Sequence, residues 1–215
     1  MTNRSENYEQ YKSKFINYLE RIKDCFDSKV YEELRKFLLR EPNEKTPAPL
    51  LFLYAPASTK FHCNYEGGLM EHSVNVVDNL LLLTEKMNLK WQRPESPIII
   101  GLLHDICKTY DYEVTYRNTK VKNEFTGRDE WVQVPQYVTN DLLPFGNHGD
   151  KSVMMLVNMG LKLTQEEMAC IRYHMGYSEG QQIFNAYGNA KSKWFNCLWT
   201  NVADEMSAHS ETVIK

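Results

Sequence analysis

The sequence predicts an all-α helical bundle that carries a small β-hairpin insertion. Three observations predict it. Apolar residues recur at three- and four-residue steps through most of the chain, the spacing of amphipathic helices. Prolines and glycines fall where such helices would begin and end. Tyr112–Gln136 alone has strand character, with Val114, Tyr116, Trp131, Val132 and Val134 set among turn and charged residues. At 215 residues the chain is long enough for one domain with a substantial core. Its 42% hydrophobic and 25% charged residues are an ordinary globular balance. A net charge of -3 gives no global basic field for nucleic acid or membrane.

Taken in order, Tyr8–Arg40 reads as helix. Tyr11, Phe15, Tyr18, Leu19 and Ile22 form one apolar face, and Val30, Leu34, Phe37 and Leu38 resume it after a break at Cys25–Ser28. Glu41–Pro49 contains three prolines and no periodicity, so residues 1–49 are expected to form a helical extension and linker ahead of a main domain over 50–215. Gly67–Gly68 precedes a helix from Leu69 to about Met87 with a seam through Met70, Val74, Val77 and Leu81. Pro94 and Pro97 open the next helix, which is expected to carry His104, Asp105 and Lys108 together. A helix from about Lys151 to Met159 ends at Gly160. Thr164 and Glu167 make a capping box for a helix ending near His174. Trp194–Ser210 is the last helix, with Phe195, Leu198, Trp199 and Val202 as its expected packing face.

The chemistry concentrates in GLLHDICKTY. His104, Asp105 and Lys108 approach one face of a helix, just after the apolar run IIIGLL. A buried histidine and carboxylate need a partner or a metal. Alone, the motif is equally consistent with a satisfied core histidine beside an i,i+3 ion pair. His72 lies in a first helical turn next to Gly67–Gly68, His148 between Gly146 and Gly149, and His174 in a last turn before Gly176. His62 lies in a loop that can reach the same mouth, and the glycines around His148 suit a close backbone approach to a ligand. Asp204 reads as semi-buried, which is unusual for an unpartnered acid. His72, His104, Asp105, His148, His174 and Asp204 are therefore the candidate metal ligands. Imidazole and carboxylate donors suit one or two divalent ions: iron, manganese, nickel, zinc or magnesium.

Three segments carry a resemblance: GGLMEHS with His72, LLHDICK with His104–Asp105, and NVADEMS with Asp204. In this order they resemble the HD superfamily of metal-dependent phosphohydrolases. HGDKS and IRYHMG resemble segments of small bacterial HD hydrolases and of the HD domain of 3'-to-5' exoribonucleases. The similarity covers about Phe61–Ser207. It implies an HD-type helical bundle over residues 50–215. His72, His104, Asp105 and Asp204 would hold a first ion, and Asp105 would bridge to a second held by His148 and His174. No nucleic-acid-binding domain like that of the exoribonucleases accompanies the motifs, nor does a GYP signature.

The expected activity is hydrolysis of a phosphoester, with Asp105 and Lys108 catalytic and Lys108 pairing with a phosphate oxygen. Lys151, Tyr65, Arg172 and Tyr177 are the candidate substrate contacts. The expected partner is a small phosphorylated ligand such as a nucleotide, or a short single-stranded nucleic acid end, and not a membrane. Two other classes compete: a non-haem iron oxygenase on the same donors, and a non-catalytic ligand-binding protein. Tyr112–Gln136, leaving directly from the Asp105 helix, is expected to act as a lid, with Trp131 placed to pack on a base. The five scattered cysteines form neither a disulfide framework nor a CxxC site, no cationic apolar leader opens the chain, and no apolar run reaches membrane-span length. A cytoplasmic location with reduced thiols is expected.

Overall fold

The computed structural model describes residues 7–43, 51–122, 127–140 and 143–211. The architecture is mostly helical, with one two-stranded antiparallel hairpin. In order, α1 (Tyr8–Arg21) and α2 (Ser28–Leu38) are joined through a short 3-10 turn. Asp27 caps α2 by accepting from the backbone N–H of Lys29 at 2.9 Å, which is why the helical pattern breaks at the expected place. Phe15 and Leu19 of α1 and Leu34 and Leu38 of α2 belong to the same hydrophobic core as the helices that follow.

The centre of that core is α3 (Gly68–Lys86) against α4 (Ser96–Leu103). Leu69, Val76, Val77 and Leu80 of α3 and every residue of α4 are buried, whereas the last turns of α3, with Leu82, Glu85 and Lys86, are exposed. Then come α5 (Lys108–Asp111), β1 (Tyr112–Lys122), β2 (Asp129–Thr139), α6 (His148–Asn158), α7 (Gln165–Arg172), α8 (Phe184–Lys193) and α9 (Asn196–Ser210). The capping box at the start of α7 is present: Thr164 Oγ1 accepts from Glu167 N, and Glu167 accepts from Thr164 N at 2.8 Å. Among the described residues no helix is long and apolar enough to cross a membrane.

Three expectations are corrected. The helix expected to carry His104, Asp105 and Lys108 together stops at Leu103, and His104–Cys107 form a turn tightened by a Lys108 N to Asp105 O hydrogen bond of 3.0 Å. The expected hairpin is present, but its end moves from Gln136 to Thr139, with pairing from Tyr112–Thr139 to Lys122–Asp129. In α9 the inward face is not Phe195, Leu198, Trp199 and Val202 but Asn196, Cys197, Thr200, Ala203, Asp204 and Ser207. Small residues let α9 lie close to α3, and Asn79 donates to Ser207 Oγ at 2.9 Å across that contact. The hairpin tip at residues 123–126 and the proline-rich stretch at 44–50 lie outside the described residues.

Candidate metal centre

Four segments deliver the donors to one place. His72 comes from the first turns of α3, His104 and Asp105 from the turn after α4, His148 from the first residue of α6, and His174 from just beyond α7. Asp204 joins them from the middle of α9. Two close backbone approaches set the convergence. A Cβ on Gly101 would meet Val77 N at 2.8 Å, so glycine there lets α4 press onto α3 and places His104 beside His72. A Cβ on Gly149 would meet Arg172 O at 2.3 Å, so α6 abuts the end of α7 and His148 meets His174. The glycine beside His148 therefore makes room for a neighbouring helix end, and the expectation that it admits a ligand is corrected.

Two donor groups share Asp105. On one side, His72 Nε2 lies 3.2 Å from His104 Nε2, 3.0 Å from Asp204 Oδ1 and 3.7 Å from Asp105 Oδ2. His104 Nε2 lies 3.2 Å from that same Asp105 oxygen. On the other, Asp105 Oδ1 lies 3.4 Å from His174 Nε2 and 3.7 Å from His148 Nε2. Donors at about 2.1 Å from a common ion stand about 3.0–3.4 Å apart, so these edges are near those of a coordination shell.

The imidazole tautomers agree. His104 Nδ1 faces Gly101 O at 3.0 Å and His174 Nδ1 faces Ile171 O at 2.7 Å. Each therefore spends its N–H on a carbonyl and turns a lone pair inward. His72 Nδ1 faces the Glu211 carboxylate at 3.0 Å, and Asn75 donates to Glu211 at 2.9 Å. A carboxylate behind an imidazole is a common support for a metal-ligating nitrogen.

The polar atoms left over point to an ion. Asp105 Oδ1, His148 Nε2 and His174 Nε2 are buried, face one another, and meet no hydrogen-bond geometry. Such orphans are costly unless a cation completes them. Burial lowers His148 to about 3 and also lowers His104, keeping both imidazoles neutral as metal ligands require. Burial also opposes a charge on His72, but Glu211 and Asp204 outweigh it and raise it to about 10. A divalent ion held by His72, His104 and Asp204 would stand in place of the second proton on His72. Burial works against the Asp105 carboxylate as well, yet Lys108, then His104 and His174, hold it well below the usual range. These buried His/Asp clusters are capable of coordinating a divalent metal.

Lys108 Nζ sits 2.6 Å from Asp105 Oδ2 and lines a cavity of about 490 Å3 with His148, Lys151, Asp111, Tyr112 and the loop Ala57–Phe61. Lys151 reaches that cavity, with its Nζ donating to Asp111 Oδ1 at 3.0 Å. The other expected substrate contacts are absent from the cavity wall. Tyr65 is buried, with its hydroxyl 3.4 Å from Cys63 Sγ. Arg172 is tied to Asp150 and, at 2.9 Å, to Glu179. Tyr177 packs on Phe184 and Tyr187 and accepts from Lys191 at 3.0 Å. Among the described residues the hairpin borders the cavity through Tyr112 and Thr139 at its base. Trp131 pairs with Lys120, far up β1 from that base. Sequence reasoning missed Glu211, a lone acid past the last helix with no spacing signal.

Comparison with known proteins adds one relative. A dihydroneopterin 2',3'-cyclic phosphate phosphodiesterase from Methanocaldococcus jannaschii is 35% identical over 109 residues, which are 46% of this chain and 41% of the relative. The chain therefore spans well under half of that relative's length. No family model matches the chain, and no solved structure matches it. These findings correct the expectation of an HD-superfamily member: the named relative is a cyclic-phosphate phosphodiesterase, and the helical architecture stands without the HD assignment. Three short motifs far apart in the chain set the order of the donors, not a family.

Proposed function

We propose that this protein is a metal-assisted phosphohydrolase acting on small phosphodiesters, with the cyclic phosphate of a nucleotide-like molecule as the favoured class. The observation that supports it most is the placement of Asp105, whose two oxygens face separate histidine sets while its neighbours Lys108 and His148 line the cavity. The relative, a cyclic-phosphate phosphodiesterase, points to the same class of phosphoester. All six proposed metal ligands fall within residues 50–215, which we take as the catalytic part, with 1–49 as an extension.

Bound divalent ions would supply Lewis acidity and an activated water. His72, His104, Asp105 and Asp204 would hold one, and Asp105, His148 and His174 a second. The chain's own residues do the rest. Asp105 joins the two donor groups and fixes their separation. Lys108 spends one N–H on Asp105 and keeps two for a non-bridging phosphate oxygen at the cavity wall. Lys151 is largely neutralised by Asp111, so it contributes orientation more than charge. The cavity volume falls within the range of small-molecule sites and is small for a long nucleic acid strand.

The test is reconstitution of metal-stripped protein with iron(II), manganese or zinc. Each form is assayed on adenosine 2',3'-cyclic phosphate and on p-nitrophenyl phosphate. Turnover of the cyclic diester that disappears in Asp105→Ala is expected. Equal rates in wild type and Asp105→Ala would overturn the proposal.

A further inference from the structure

We infer that Phe61 is a specificity-determining platform on which the planar heterocycle of the substrate stacks, so that the enzyme selects small cyclic phosphodiesters bearing an aromatic ring. The inference rests on the phosphodiesterase reading and names the part of the substrate that the metal donors do not touch. The cavity beside Lys108 and His148 has a volume of about 490 Å3, several times that of a phosphate group, so most of it must accommodate something else. Phe61 stands on its rim with 71% of its surface exposed.

This exposure is built into the loop. Ser58 Oγ accepts from Phe61 N at 2.8 Å and donates to His62 O at 2.9 Å. Ala57 N donates to Cys63 O at 3.0 Å and closes the loop's ends, and Tyr112 Oη donates to Ala57 O at 3.1 Å and ties it to the hairpin base. The backbone at Cys63 takes φ 45°, a left-handed conformation uncommon outside glycine. A clasp of this kind holds a large apolar ring out in solvent, where it gains nothing from burial within its own fold. Another part of the wall is fixed as well: Asn140 N donates to Asp111 O at 2.8 Å, and Thr139 and Asn140 line the same cavity. An aromatic platform beside a phosphate-binding end is the arrangement that reads a base by its face, and such stacking is insensitive to the ring's edge. The exposed aromatic expected from sequence for this role, Trp131, is carried far up the hairpin and is stacked under Lys120.

The experiment compares wild type with Phe61→Ala and Phe61→Tyr on two substrates sharing the reacting group: adenosine 2',3'-cyclic phosphate, and glycerol 1,2-cyclic phosphate, which lacks a ring. Phe61→Ala is expected to raise KM for the ring-bearing substrate on the order of ten-fold more than for the ringless one, with kcat little changed, and Phe61→Tyr to restore most of the difference. Equal changes on both substrates, or none, overturn the platform. Wild type that hydrolyses neither substrate overturns the hydrolase reading instead. Equilibrium titration with adenosine 2',3'-cyclic phosphate then still decides the platform. Binding about ten-fold weaker in Phe61→Ala supports it, and equal binding overturns it.

Discussion

On the Oδ2 side of Asp105, His72 and His104 are sealed from solvent. Each is braced from behind, His72 by the Glu211 carboxylate and His104 by the Gly101 carbonyl. On the Oδ1 side, His174 is equally buried, but 26% of the His148 side chain remains exposed and it borders the cavity. In the proposed enzyme the sealed group would keep an ion and the open group would meet the substrate. The same residue types serve both, and what differs is burial and the second contact behind each imidazole.

The largest effect should come from removing what the two sides share. Asp105→Ala is expected to lower turnover by at least about 10^3-fold and to strip metal from both sides, read by elemental analysis beside kinetics. Retained metal at the wild-type ratio would break the shared-bridge picture. His148→Ala should act on the open side alone, with a rate loss of about 10^2-fold and retention of the ion on the sealed side. Loss of all metal would show that the two sides are not separable. Glu211→Gln probes the brace behind His72, and metal affinity is expected to weaken by about 10- to 100-fold in a chelator competition, with turnover restored at high metal concentration. Gly149→Ala would push a methyl into the Arg172 carbonyl and part α6 from α7. Its cost is expected to be about 1–3 kcal/mol in chemical denaturation, with metal loss confined to the open side. The smallest effect is expected from shortening the hairpin beyond Asn118 and Gln133. Among the described residues none of its distal part borders the cavity, so metal content and kcat/KM should stay within about two-fold of wild type. A larger change in selectivity would restore the lid.

Glu211 and Phe61 mark where the sequence stopped being readable. His72, His104–Asp105 and Asp204 stood out because polar groups interrupted apolar helical patterns, which is a local signal. Glu211 follows the last helix with no pattern around it, and its approach to His72 depends on how α9 crosses α3. Phe61 is one of nine phenylalanines, and only the clasp around Ser58 distinguishes it from a core residue. Likewise Arg172 and Lys151 looked alike as candidate anion contacts, and neighbours from distant helices decided between them.

What the sequence by itself determined is whatever a few adjacent residues control: the helical periods, the Asp27 and Thr164 caps, the hairpin pattern, and the inventory of imidazoles and carboxylates. The tertiary structure decided the rest. It ended α4 at Leu103, turned the polar small-residue face of α9 inward, and split one list of six donors into a sealed and an open group around Asp105. The reason is geometric: coordination requires donor atoms placed to within tenths of an ångström, and that precision is set by helix crossings such as Gly101 on Val77 and Gly149 on Arg172.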